Sequence, residues 1–188
     1  MALKTALCLL AEDAEEMEAV VTVDILRRAK VAVTIASITD KECVKCSRDI
    51  KICTDTNIED IKDQKFDAVI LPGGAGWKNL AASSRVGDIL KIHESENRII
   101  AAICAAPNVL RIHGIAKGKQ ITSHPSVKYN LKDYYNYNDS EVVVIDDNII
   151  TSMGPAFSSE FGLAIVEKLI GKDAAYTAAT DLLLKNYK

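Results

Sequence analysis

Cys104 stands between an apolar run, Ile99-Ile100-Ala101-Ala102-Ile103, and Ala105-Ala106-Pro107, where a helix can begin. A strand, one residue and a helix start describe a nucleophile elbow, a tight turn that projects its central side chain outward. Small neighbours avoid clashes in such a turn. Ala102 and Ala106 are small, although they lack the positive-φ freedom of the glycines usual there. A helix N-terminus behind the sulfur favours thiolate over thiol, and the thiolate is the form that attacks carbonyl carbon or is oxidised. A buried, inert cysteine is the other reading of this window.

Three further groups could serve that sulfur. Pro72-Gly73-Gly74 closes an apolar run, and glycine lets backbone N–H groups approach a ligand closely. The amides of Gly74 and Ala105 could then form an oxyanion hole; an ordinary glycine-rich turn is the plainer alternative. Glu18 shares helical spacing with Val21 and Ile25 and so can face inward. A protonated Glu18 donating to a Cys104 thiolate would satisfy both groups and lower the thiol pKa, whereas a solvated carboxylate like Glu15 and Glu16 would do nothing. His124, before Pro125 at an expected strand end, could shuttle protons or simply hold its loop.

These groups need a scaffold. Thr5 to Ala11, Val31 to Ile38, Phe66 to Leu71 and Arg98 to Ile103 read as buried strands. Glu15 to Ala29, Asn57 to Asp63, Ser83 to Glu94, Pro107 to His113, Phe157 to Ile170 and Ala174 to Leu184 read as helices. Val44 to Cys53 suits short strands, Gln120 to Ser123 is strand-like, and Tyr129 to Asn138 is a polar loop. Val142 to Ile145 and Ile149 to Ser152 suit a β-hairpin around Asp146-Asp147-Asn148. Strands alternating with helices imply a mostly parallel sheet covered on both faces, with ligands beyond the carboxyl ends of its strands. No linker or repeat interrupts residues 1–188, which read as one domain.

Composition narrows the classes. A net charge of −3 without a basic block gives no reason to expect nucleic acid or a membrane surface as partner. No apolar run is long enough to span a bilayer. The N-terminal apolar stretch is short and runs into Glu12, Asp13, Glu15 and Glu16, which suits a buried strand better than a signal peptide. Cys8, Cys43, Cys46, Cys53 and Cys104 are odd in number and irregularly spaced, so free thiols in reducing surroundings are expected. Cys43-x-x-Cys46 lacks a second pair and a nearby histidine, so no metal site is expected. It reads as two ordinary thiols or as a weak redox pair.

Ala14-Glu15-Glu16-Met17-Glu18, Cys46-Ser47-Arg48-Asp49, Val69-Ile70-Leu71-Pro72-Gly73-Gly74, Ala101-Ala102-Ile103-Cys104-Ala105 and Thr122-Ser123-His124-Pro125 occur in one order. With Gly154-Pro155 and Glu160-Phe161 they make the whole chain resemble the DJ-one protein deglycase family of the ThiJ/PfpI superfamily. The resemblance implies an α/β flavodoxin-like three-layer sandwich, with a mostly parallel central sheet and a small β-hairpin, that forms a homodimer. It implies Cys104 as the nucleophile and oxidation-sensitive cysteine, Glu18 as its hydrogen-bonding partner and His124 as a second active-site residue. Gly73, Gly74 and Ala105 match oxyanion- or substrate-binding positions, Cys46 and Cys53 match two peripheral redox-sensitive cysteines, and Met17 and Arg48 match the dimer interface. It further implies a cofactor-free glyoxalase or deglycase acting on methylglyoxal-type dicarbonyls and glycated proteins, in the cytoplasm and also in mitochondria and nucleus. A redox-sensing dimeric chaperone and an inactive scaffold are the rival readings. The chain departs from the family pattern at Ala106, Met153, Phe157 and the Ala75-Gly76-Trp77 loop, where Trp77 could line the pocket rim. Those differences bear on substrate preference.

Overall fold

The computed structural model describes residues 3–184. Strand β1 (Thr5–Leu10) leads into helix α1 (Glu16–Arg28) and strand β2 (Ala32–Ser37). Strands β3 (Cys43–Lys45) and β4 (Lys51–Cys53) form a small hairpin, followed by β5 (Thr56–Asn57) and β6 (Ala68–Leu71). Helices α2 (Trp77–Ala82) and α3 (Ser84–Ser95) precede β7 (Ile99–Ile103) and helix α4 (Pro107–Ile112). Strands β8 (Gln120–Ile121), β9 (Asn136–Tyr137), β10 (Val143–Asp146) and β11 (Ile149–Ser152) follow, then helices α5 (Ser158–Ile170) and α6 (Lys172–Asp181).

The main sheet has the order β10-β11-β7-β6-β1-β2-β5, and only β10 runs antiparallel. Successive residues of its central strands feed two cores, as the period-two alternation of strand side chains requires. Leu7, Leu9, Val69 and Leu71 face Leu80, Leu90 and Val109 from α2, α3 and α4. Ala6, Cys8, Ile70 and Ala101 face Ile25, Leu26, Phe161 and Ile165 from α1 and α5. The result is a three-layer α/β sandwich. Gly162 lets α5 lie close on α1: a Cβ there would sit 3.1 Å from Ile25 Cδ1. That contact sets the position of the helix carrying Glu18.

From β1 the chain moves one way to β2, then returns to build β6, β7 and β11 on the other side. The reversal falls between β1 and β6, and in such sheets ligands usually sit beyond the carboxyl ends of the strands at that point.

Several sequence expectations change. Asn57 to Asp63 forms turns rather than a helix, because the Asn57 Oδ1 accepts from the amides of Glu59 and Asp60 at 2.9 and 3.2 Å. The Tyr129 to Asn138 loop begins within a 3-10 helix (Pro125–Asn130) and contains β9, which pairs with β8. The Asp146-Asp147-Asn148 hairpin adds to the edge of the main sheet through β11. Helix α2 was not anticipated. The free-thiol expectation fails for two cysteines: Cys43 and Cys53 are disulfide-bonded, because the β3–β4 register sets them directly opposite. Among the described residues no helix is long and apolar enough to cross a membrane.

Candidate active site

The site is assembled from the ends of three adjacent strands. The loop after β1 opens into α1 and carries Glu18, the turn after β6 is Pro72-Gly73-Gly74, and β7 ends at Cys104. Cys104 has φ +63°, a left-handed conformation costing roughly 1–2 kcal/mol in a residue with a Cβ. Neighbouring backbone holds it there. The Cys104 amide donates to the Ser152 carbonyl at 2.9 Å, and its carbonyl accepts from the His124 amide at 2.8 Å. The elbow read from the sequence is therefore present, with a half-buried cysteine at its corner.

The amides of Gly74 and Ala105 both donate to the Cys104 sulfur. Gly73 acts differently from its expected role: its amide is committed to Glu18 Oε2 at 2.7 Å. Close packing leaves no room for a side chain at Gly73, where a Cβ would lie 2.7 Å from Cys104 Cβ and 2.9 Å from the Ala105 amide.

Glu18 is wholly buried. Burial, opposed by the Gly73 amide and the Cys104 contact, pushes its carboxyl up to about 7. Cys104 is pushed up to about 12, first by burial and then by the Glu18 charge, while the Gly74 and Ala105 amides pull the other way. The site thus tolerates one negative charge and resists two. The expected arrangement, a protonated Glu18 beside a Cys104 thiolate, holds just that one charge, while burial opposes the expected lowering of the thiol.

His124 is exposed, and its ring is held by its own loop. Nδ1 lies 2.8 Å from Ser126 Oγ and accepts from the Ser126 amide at 3.2 Å. That bond leaves the proton of the neutral ring on Nε2. Its backbone amide joins it to Cys104.

Two polar residues escaped the sequence reading. Asn108 is buried and donates from Nδ2 to the Ala105 carbonyl at 3.0 Å, fixing the first turn of α4. Ser126 orients His124. An asparagine in the turn after Pro107 was the available signal for the first; nothing marked the second.

The remaining residues lie elsewhere. Met17 is 52% exposed on α1, one turn from the exposed Val20. Arg48 is exposed, and its amide donates to Glu16 Oε1 at 2.8 Å, so hairpin and helix share one face. Cys46 is buried, and burial together with nearby acidic groups, Glu16 foremost, pushes its thiol up to about 11. Cys53 is exposed but paired with Cys43. Trp77 opens α2 and packs half-buried on the core.

A doubly wound sheet with a strained cysteine at the end of a central strand, faced by a buried glutamate and two amides, defines a class of α/β elbow proteins. The chain belongs to the DJ-1/PfpI family, whose model matches residues 4–168. It is 50% identical over 182 residues to Protein dj-1beta of Drosophila melanogaster, covering 96% of this chain and 97% of the relative. It is 41% identical over 183 residues to the glutathione-independent glyoxalase DJR-1.2 of Caenorhabditis elegans, covering 96% and 97%. The crystal structure of Drosophila melanogaster DJ-1beta superposes with a TM-score of 0.95 at 49% identity, covering 97% of this chain and 98% of that one.

Proposed function

We propose that this protein is a cysteine-dependent, cofactor-free glyoxalase and deglycase for methylglyoxal-type dicarbonyls and their early adducts on proteins. The convergence of the Glu18 carboxyl and the Gly74 and Ala105 amides on the Cys104 sulfur carries this reading. The likeness to a glyoxalase that needs no glutathione supports it.

Proton transfer from Cys104 to Glu18 yields a thiolate beside a neutral carboxylic acid. The thiolate adds to the aldehyde carbon, and the new oxyanion takes amide hydrogen bonds and then a proton, giving a hemithioacetal. Glu18 removes the proton from that carbon and returns one to the adjacent carbon, which converts the adduct into a lactyl thioester. Water cleaves the thioester, releasing lactate and restoring the thiol. The net change is the addition of one water to methylglyoxal, with no outside oxidant or reductant. His124 Nε2–H serves as a donor at the cleft mouth. The protein acts as a homodimer through the face bearing Met17 and Arg48, where exposed apolar side chains favour a partner surface.

Lactate formation from methylglyoxal by wild type and by Cys104→Ala tests the proposal. Wild-type turnover abolished in the variant supports it; equal rates end it.

The same donors favour a second reading, a redox sensor and chaperone. A Cys104 sulfinate would accept the Gly74 and Ala105 amide bonds as a thiolate does. Intact mass after mild peroxide tests it. Two oxygens on Cys104 support it, and an unmodified Cys104 in an otherwise oxidised protein excludes it.

A further inference from the structure

Asn108 stands where a polar side chain is costly. It lies in the first turn of α4, only 3% exposed, and the next two residues, Val109 and Leu110, belong to the apolar core. Asparagine is a poor helix former, and a buried amide destabilises the fold unless its polar atoms are paired. Here both ends are paired. Nδ2 donates to the Ala105 carbonyl at 3.0 Å, and the Asn108 backbone amide donates to the same oxygen at 3.2 Å. Val109 donates to the Ala106 carbonyl at 2.8 Å, so the Asn108 side chain holds the oxygen that Val109 would hold in a regular helical turn. A carbonyl can only accept, which fixes the orientation of the Asn108 carboxamide and leaves Oδ1 as its acceptor. Oδ1 takes a bond from Asn130 Nδ2 at 3.4 Å.

Both partners belong to the frame of the site. The peptide group joining Cys104 to Ala105 has its carbonyl on the His124 amide at 2.8 Å and its N–H on the Cys104 sulfur. Each peptide group is planar, so only the two dihedrals of Ala105 relate this group to the next one. Asn108 holds that next group by its carbonyl. Asn130 ends the 3-10 helix (Pro125–Asn130) that His124 caps. Asn108 thus ties the peptide groups after the elbow to the segment that supports the elbow from the other side.

We propose that Asn108 is a positioning residue for Cys104: by clamping the Ala105 carbonyl and joining it to Asn130, it keeps the Ala105 N–H aimed at the sulfur and so raises the share of thiolate. The proposal rests on the reading of Cys104 as the reacting thiol, and it holds for any carbonyl compound that the thiolate attacks. Asn108 acts through Ala105 and needs no contact with substrate. Glu18 and Cys104 share one negative charge, so a weaker Ala105 bond moves charge from sulfur to carboxylate. The plateau of the pH–rate profile for Cys104 then falls, while its midpoint stays near the value of about 7 that Glu18 sets.

The test compares two pairs of variants, Asn108→Thr with Asn108→Val and Asn108→Ser with Asn108→Ala. Within each pair the side chains are close in shape, and only the hydroxyl member can donate to a carbonyl three residues back. The readout is the rate of Cys104 carbamidomethylation by limiting iodoacetamide from pH 5 to 9, located by peptide mass. The threonine and serine variants are expected to keep the wild-type plateau within about twofold. The valine and alanine variants are expected to fall about threefold to tenfold below it, the loss from weakening one hydrogen bond, with the midpoint unmoved. Equal plateaus within both pairs would overturn the proposal. So would a faster valine variant whose midpoint lies near about 8.5, that of an ordinary thiol, because a merely loosened site behaves so. A wild-type Cys104 that fails to react at any pH in the range would end the reading of Cys104 as nucleophile, and this proposal with it. A reactive wild type with matched pairs would end this proposal alone.

Discussion

Gly73 donates its amide to Glu18 Oε2 at 2.7 Å and leaves Glu18 Oε1 buried without a hydrogen-bond partner of its own. One satisfied oxygen is too little to keep a buried carboxylate charged, and desolvation holds the group protonated up to about 7. Its position is therefore a cost to the fold at neutral pH.

The cost gives the first prediction. Glu18 has its pKa raised above its unfolded value, so between roughly pH 4.5 and 7 the native chain binds the proton that the unfolded chain has released. This contribution to stability is fully present below the unfolded pKa and is lost as pH rises through the folded one. The full difference is about 3 kcal/mol. Glu18→Gln removes it. The variant is expected to match wild type near pH 4 and to exceed it by about 1–3 kcal/mol at pH 8. Urea denaturation at both pH values measures this, and a variant less stable at pH 8 contradicts it.

The second prediction concerns Cys104 itself. Glu18 and Cys104 titrate as a pair, the first proton leaving near 7 and the second near 12. Within the singly charged state a fixed fraction carries the charge on sulfur. Alkylation of Cys104 should therefore rise with pH through about 7 and then level off, whichever group holds most of the charge. In Glu18→Gln no such proton store exists, and the rise should follow the buried thiol alone, at least about one pH unit higher. A midpoint that does not move would show that the pair does not share its proton.

Much of this arrangement was legible in the residues. The apolar runs of β1 and β7 suited buried strands, and β7 running into Cys104 with Pro107 close behind suggested the elbow. Glu18 was ambiguous, because helical spacing places it on an inward face without saying what lies opposite. The Gly73 amide that binds it comes from 55 residues away. Cys43 was expected to be a free thiol, because five irregularly spaced cysteines gave no disulfide framework. The true partner, Cys53, is set by strand register across the Cys46–Ile50 turn. The Asn57 to Asp63 segment had helical composition, but an asparagine side chain satisfied the amides that a helix would have used.

Gly73 supplies the third prediction. A methyl group there would meet Cys104 Cβ, the Ala105 amide and Glu18 Oε2 at 2.7, 2.9 and 3.0 Å. Two of these atoms belong to rigid backbone or to the elbow itself, so the turn must move away. Gly73→Ala is expected to lower Cys104 alkylation and any turnover by about tenfold or more, with a stability loss of about 1–3 kcal/mol. Wild-type rates in a folded Gly73→Ala protein would mean that the turn can yield without disturbing the sulfur.

The last prediction separates the conformation of Cys104 from its chemistry. At φ +63° any residue with a Cβ is strained, and only glycine is not. Cys104→Ala and Cys104→Gly both delete the sulfur and so remove its contacts with Glu18 and the two amides. They differ in a single methyl group and in backbone preference. The methyl adds a little burial to the alanine variant, while the left-handed conformation penalises it by roughly 1 kcal/mol. Glycine loses some ground through the greater freedom of its unfolded chain, a smaller effect of about 0.4–1 kcal/mol. The glycine variant is therefore expected to equal or slightly exceed the alanine variant in stability, whereas at an ordinary strand end it would be the weaker of the two. Parallel urea titrations decide it. An alanine variant more stable by over about 1 kcal/mol would mean that the elbow relaxes to negative φ once the sulfur is gone, so that the strain is maintained by the interactions of Cys104 rather than by the Ser152 and His124 backbone bonds that flank it.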